Sequence, residues 1–188
     1  ALGIQINQFE AEKEAGGDGA NANCGPASLA MAMKALGVNS TMSDGDLVDL
    51  IRNMMVDDLD RDGIGMYGER QEWEHNSFTN FDDLQKGAAA LGMKNDIVKA
   101  DGLTIQSELM AGKKLIVSGT FAGKYPLPWT GDRGRDNASA PGGATEHFVT
   151  ITDYNAQRGE YLVNDPARMS PMWISKSTLE YFMQGNAG

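Results

Sequence analysis

A single cysteine stands among 188 residues, so no disulfide can form within the chain. Cys24 is therefore either a small buried hydrophobe or a reactive thiol, and cysteine usage indicates no redox compartment. Basic charge is scarce: Lys and Arg total 16 against 26 Asp and Glu, a formal net charge of −10. No basic patch able to neutralise phosphates is visible, which argues against nucleic acid and anionic membrane surfaces as partners. No apolar run has the length needed to span a bilayer, so membrane insertion is not expected. The first residues, Ala1-Leu2-Gly3-Ile4, show neither the charged nor the apolar region of a signal peptide. Histidine is limited to two residues, His75 and His147, which narrows the search for a general base.

What is present suits one globular domain over residues 1–188. Hydrophobic residues make up 41% and are spread along the length, and charged residues make up 22%, which excludes wholesale disorder. Residues 3–8 alternate weakly and read as a short strand. Residues 15–23 are rich in Gly, Ala and Asn and read as a loop. A helix follows, with Pro26 in its first turn and Gly37 as its stop. Further helices are expected from Ser43, with Asp46 as capping partner, over 81–91 ending at Gly92, over 104–111 ending at Gly112, and over 177–183. Strands are expected at 114–120, 146–154 and 160–164, the last two forming a hairpin that turns near Gln157-Arg158-Gly159. Helices first and strands later read as an α+β fold.

Cys24 falls at the predicted start of a helix, behind a glycine-rich loop. Unpaired backbone N–H groups and the helix dipole favour an anion there, which suits a nucleophilic thiolate. Gly25 permits close approach of a substrate, and the Cys24 N–H could face a developing oxyanion. A base must accompany it. His75 lies in the polar run Glu72-Trp73-Glu74-His75-Asn76 and reads as a surface histidine. His147 opens the apolar strand Phe148-Val149-Thr150-Ile151, which gives it a rigid mount. A third group must orient the base, and Asn164 and Asp165 are the candidates on the paired strand. Adjacent strand residues face opposite ways, so only one can reach the ring. A three-residue turn at 156–158 would set Ile151 opposite Val163 and put Asp165 on the His147 face. A turn one residue longer or shorter would select Asn164, and the pairing of β-branched Ile151 with Val163 favours Asp165.

These residues carry a pattern. Asn23-Cys24-Gly25-Pro26-Ala27-Ser28-Leu29-Ala30-Met31 resembles the nucleophile motif of C39-like peptidases, a papain-like cysteine peptidase group. Glu146-His147-Phe148-Val149-Thr150-Ile151 resembles the histidine strand of that group, and Tyr161-Leu162-Val163-Asn164-Asp165-Pro166 its aspartate motif. Ile6-Asn7-Gln8 resembles the upstream segment whose glutamine helps form the oxyanion hole. The order Gln, Cys, His, Asp matches over nearly the whole chain. The resemblance implies a papain-like fold, with an N-terminal helical part whose nucleophile helix packs on a C-terminal antiparallel sheet. It also implies Gln8 as the oxyanion residue, with Gln5 as a rival because the span from Gln8 to Cys24 is long. The expected reaction is hydrolysis of an amide, in a protein or peptide substrate, through an acyl-enzyme on Cys24. Side-chain deamidation and acyl transfer by an effector are alternatives, because fold does not settle the reaction. A non-catalytic calcium-dependent binding domain is a further one. Residues 119–145, with Tyr125, Trp129, Arg133 and Arg135, are expected to line the cleft.

A separate pattern lies in an insertion at about 57–70. Asp58-Leu59-Asp60-Arg61-Asp62-Gly63 followed by Glu69 satisfies the EF-hand loop spacing. Asp58, Asp60 and Asp62 converge on one centre, and Gly63 allows the sharp turn. Ile64 supplies a carbonyl, and Glu69 binds through both oxygens. Position 8 is Gly65 and position 9 is Met66, where a branched apolar residue and a side-chain ligand are usual. A single structural Ca²⁺ is expected, and with it a setting outside the producing cell.

Overall fold

The computed structural model describes residues 4–15, 23–55, 79–119 and 147–184. The insertion with the calcium pattern, His75 and the glycine-rich stretch 120–146 lie outside the described residues. In chain order the elements are α1 (Gln8–Ala15), α2 (Cys24–Ala35), α3 (Asp44–Met55), α4 (Phe81–Ala90), α5 (Gly102–Met110), β1 (Leu115–Gly119), β2 (His147–Asn155), β3 (Glu160–Asn164), β4 (Met172–Ser175) and α6 (Lys176–Gln184). The four strands form one antiparallel sheet in the order β1-β2-β3-β4. The architecture is α+β, as the sequence pattern predicts.

The helix ends follow the residues that mark them. Gly37, Gly92 and Gly112 all adopt positive φ just beyond α2, α4 and α5, a conformation that glycine takes without strain. Asn80 and Asp83 form a reciprocal capping box on α4, and the Asp101 carboxylate caps α5. The Ser43 hydroxyl accepts from Asp46 N at 3.2 Å at the start of α3. One expectation fails, and one strand was not foreseen. Residues 5–7 form no strand, and Asn7 instead caps a helix, its Oδ1 accepting from Phe9 N and Glu10 N. The N-terminal segment is tied instead to the turn after β3, by the Gln5 and Asn7 side chains and the Gln8 backbone N–H. Strand β4 was absent from the sequence reading because four residues at a sheet edge, only one of them buried, carry almost no alternation.

The sheet is covered on both faces. Phe148 of β2 and Ile116 of β1 pack with Leu29 and Met33 of α2, Leu47 and Ile51 of α3, and Leu84 of α4. On the other face, Val117, Val149, Ile151, Val163 and Ile174 meet Ile105 and Leu109 of α5 and Leu179 and Phe182 of α6. Alternation along β2 delivers this division, since successive side chains point to opposite faces. One polar contact fixes α2 against the sheet: Thr150 Oγ1 donates to the Ser28 carbonyl at 2.6 Å, buried. Ser28 lies one helical turn beyond Cys24 and Thr150 lies three residues beyond His147, so this bond sets the spacing between the two elements that matter most.

The β2–β3 register is reached by a route the sequence did not reveal. Asn155 pairs with Glu160, so the turn occupies residues 156–159, one residue longer than the three-residue turn that favours Asp165. A bulge between Ile151 and Asp153 then removes the offset, and Ile151 pairs with Val163 after all. The extra residue is Thr152. Its carbonyl accepts from Lys114 Nζ at 2.9 Å, and its hydroxyl donates to Asn164 Oδ1 at 2.7 Å. Two irregularities of opposite sign therefore cancel. Extending the register past Thr150–Asn164 sets Asp165 beside the His147 end of β2.

Candidate active site

Cys24 is the first residue of α2 and is buried, 7% exposed. Asn23 precedes it as the N-cap, with no side-chain capping bond, unlike Asn80 and Asp101 on α4 and α5. The first-turn N–H groups of Cys24 and Gly25 have no carbonyl four residues back within the helix, and Pro26 has no N–H at all. The mouth of α2 thus carries backbone donors that no cap side chain of Asn23 occupies. Gly25 is required by crowding: a Cβ there would lie 2.7 Å from the Thr79 side chain.

His147 is the first residue of β2, paired with Gly119 across the ladder. Gly119 presses against α6, where an added Cβ would lie 2.3 Å from the Phe182 carbonyl oxygen, so the sheet edge at His147 is held close to that helix. The His147 Nε2–H donates to Asp165 Oδ1 at 2.7 Å, with the two side chains 4% and 0% exposed. Cys24 is the other side-chain partner of the ring. Because Nε2 is taken by Asp165, Nδ1 is the ring nitrogen left to Cys24. Burial of the ring lowers its basicity, which is the largest single influence. The Asp165 charge and hydrogen bond, and then the hydrogen bond and negative charge of Cys24, outweigh it, and His147 is raised to about 10. The balance favours the imidazolium, with the Asp165 carboxylate on one side of the ring and Cys24 on the other.

Asp165 is itself held. Its Oδ1 also accepts from Ala167 N at 2.8 Å, and its carbonyl accepts from Arg168 N at 3.0 Å, closing the turn Asp165-Pro166-Ala167-Arg168. The buried Arg168 guanidinium approaches the second carboxylate oxygen, Nε to Oδ2 at 3.9 Å. The N-terminal segment lies along this turn. Gln5 Nε2 donates to the carbonyls of Asp165 at 2.7 Å and Arg168 at 3.0 Å, and Asn7 Nδ2 to that of Arg168 at 3.2 Å. Gln8 N donates to the Pro166 carbonyl at 2.8 Å. Asn164 turns the other way, its Nδ2 on Gln5 Oε1 at 3.1 Å and its Oδ1 on Thr152.

The structure separates the two candidates for orienting the imidazole. Asp165 contacts His147, and Asn164 is engaged with Gln5 and Thr152. The Gln5 amide is engaged at both ends, its Nε2 by carbonyls of the turn and its Oε1 by Asn164 of β3, whereas Gln8 is 2% exposed at the start of α1 with its backbone N–H on Pro166. The residues proposed for calcium, Asp58, Asp60, Asp62, Ile64 and Glu69, lie outside the described residues, as do Tyr125, Trp129, Arg133 and Arg135. Among the described residues no cluster of three acidic, histidine or cysteine side chains forms a metal site. Arg168 and Thr150 were missed by sequence reasoning. The signal for Arg168 was available, because Asp-Pro at the first two positions of a turn brings the fourth residue back to the aspartate.

The chain belongs to the Peptidase_C39 like family, whose model matches residues 4–183. No curated protein matches it. Membership points to activity of the cysteine-peptidase type, and the α+β arrangement above is the papain-like one of that family.

The His147 interaction has a pH signature. A histidine raised from 6.5 to about 10 by its folded-state partners stabilises the fold fully below the unfolded value, and the contribution fades as pH rises through the folded one. Urea unfolding of wild type and Asp165→Asn at pH 6, 8 and 10 checks this. The wild-type advantage is expected to be on the order of a few kcal/mol at pH 6 and to shrink toward pH 10. An advantage that grows with pH would contradict it.

Proposed function

We propose that this protein is a cysteine-nucleophile hydrolase that cleaves an amide bond in a protein or peptide, with Cys24 as nucleophile, His147 as base and then acid, and Asp165 as the residue that orients His147. The carrying observation is the buried imidazole of His147, bonded to Asp165 on one side and facing Cys24 on the other. The Cys24 thiolate attacks the carbonyl carbon, and the carbonyl oxygen takes the negative charge. The first-turn N–H of Cys24 and the side chain of Gln8 are the groups proposed to receive that oxyanion. The His147 imidazolium then gives its proton to the leaving nitrogen as the C–N bond breaks, leaving a thioester on Cys24. Neutral His147 takes a proton from water, the hydroxide attacks the thioester, and the acid departs as the thiolate and imidazolium re-form. Asp165 stays ionised throughout and holds the ring.

A proteome incubated with wild type or with Cys24→Ala, read by mass spectrometry, tests this. New chain termini are expected with wild type alone. A gain of about one dalton at Gln or Asn without new termini would instead indicate deamidation by the same thiol chemistry. His147→Ala is expected to match Cys24→Ala. Asp165→Ala is expected to lower turnover by about a hundredfold or more, as loss of an orienting partner does, and Asn164→Ala far less. The reverse ranking would remove Asp165 from its role.

We also propose that the acidic insertion binds Ca²⁺ through Asp58, Asp60, Asp62, the Ile64 carbonyl and Glu69, which fits a setting outside the producing cell. Helix α3 runs to Met55, immediately before the loop, as the entering helix of such a motif must. Saturating Ca²⁺ is expected to raise the melting temperature, equivalent to roughly 2.7 kcal/mol at a hundredfold excess over the dissociation constant. Mg²⁺ should do much less, and Glu69→Gln should weaken the effect most. An unmoved melting curve, with no heat of binding, would leave the motif a solvated acidic turn.

A further inference from the structure

Resting on the proposed roles of Cys24 and His147, we propose that Arg168 is a positioning residue whose buried positive charge keeps the Asp165–His147–Cys24 array in its charged, reactive form. The Arg168 side chain is 1% exposed, and its Nε stands 3.9 Å from Asp165 Oδ2. The other carboxylate oxygen, Oδ1, is already shared by His147 Nε2 and Ala167 N. The two oxygens thus have separate partners, one facing the imidazole and the other facing the guanidinium.

An arginine is rarely placed in a protein interior without reason, because desolvating its charge is costly unless an opposite charge is close. Here the Asp165 carboxylate supplies an opposite charge. Cys24 comes from the start of α2 and His147 from β2. Asp165 follows β3, and Arg168 closes the next turn. The N-terminal segment meets that turn through the side-chain amides of Gln5 and Asn7 and the backbone N–H of Gln8. Removing the guanidinium takes one positive charge away from beside the Asp165 carboxylate, and so makes the surroundings of the imidazole and the thiol more negative. Any proton shared within the array then becomes harder to remove, whichever atom holds it.

The backbone of Arg168 has a different task. Its N–H closes the turn on the Asp165 carbonyl, and its own carbonyl receives Gln5 and Asn7. Those bonds survive any side-chain substitution, so the charge of the guanidinium can be altered while the turn keeps its ties.

The test uses the one cysteine of the chain and requires no substrate. Alkylation by iodoacetamide is followed by mass against pH for wild type, Arg168→Gln and Arg168→Lys, with Cys24→Ala as blank. Wild type is expected to react with a pH profile set by the neighbouring imidazole rather than that of a free thiol. If its profile instead sits at the free-thiol value, the Cys24–His147 reading itself has failed, independently of Arg168. Given a reactive wild type, Arg168→Gln is expected to move the acidic limb up by about one pH unit, making alkylation on that limb about tenfold slower. The plateau at high pH should be unchanged. Arg168→Lys keeps the charge and is expected to follow wild type. A limb in Arg168→Gln that coincides with wild type overturns the proposal, as does a limb in Arg168→Lys displaced as far as in Arg168→Gln. If Arg168→Gln fails to fold, Arg168→Lys decides: a wild-type profile supports a role for charge, and a shift of a full unit with charge retained refutes it.

Discussion

The buried hydrogen bond between His147 and Asp165 is the interaction on which the arrangement of the site depends. Three separate stretches of chain converge on the ring. Helix α2 brings Cys24 to one side of the ring. Strand β2 carries His147 at its first residue. The turn after β3 presents Asp165, with its carbonyl and carboxylate both fixed by the Asp-Pro turn and by Gln5. His147 and Asp165 lie 18 residues apart across the β2–β3 hairpin, whereas Cys24 reaches the ring from the other half of the chain and depends on the docking of α2 against the sheet. The Thr150–Ser28 contact and the packing of Phe148 hold them there.

Charge is handled at two scales. Over the whole chain the excess is acidic, and positive groups are few. At the site, positive charge is concentrated behind the carboxylate, where His147 and Arg168 both meet Asp165 out of water. A buried ion pair of this kind contributes little net stability against an apolar alternative. Its value lies in fixing which groups are ionised. The imidazolium is held by its neighbours well above its ordinary range, and the uncapped mouth of α2 presents backbone donors next to Cys24.

Much of this could be read from the residues, and the failures have identifiable causes. Glycines at 37, 92 and 112 marked helix ends because positive φ is a local demand that the sequence advertises. Cys24 and His147 were legible through local context, one at a helix start and the other at the head of an apolar strand. Asp165 was reached by the right pairing of Ile151 with Val163 from the wrong turn length. The structure has a longer turn and a compensating bulge at Thr152, and no sequence period reveals a bulge that cancels an offset. The N-terminal segment was misread as a strand because weak alternation cannot be told from a run of residues whose side chains reach across to a distant turn. Gln5 could not be separated from Gln8 for the same reason, since its bonds to Asp165 and Arg168 join opposite ends of the chain. Strand β4 is short and sits at an edge, with too few buried positions to leave a pattern.

The most direct measurement of the central claim is the protonation of His147 in solution. Nitrogen-15 NMR of histidine-labelled protein, with His147 assigned by its loss in His147→Gln, reports both ring nitrogens across pH. The account predicts that Nδ1 and Nε2 are both protonated at pH 8, and that the ring loses a proton only toward pH 10. A neutral ring at pH 8, titrating near the ordinary value of about 6.5, would contradict it.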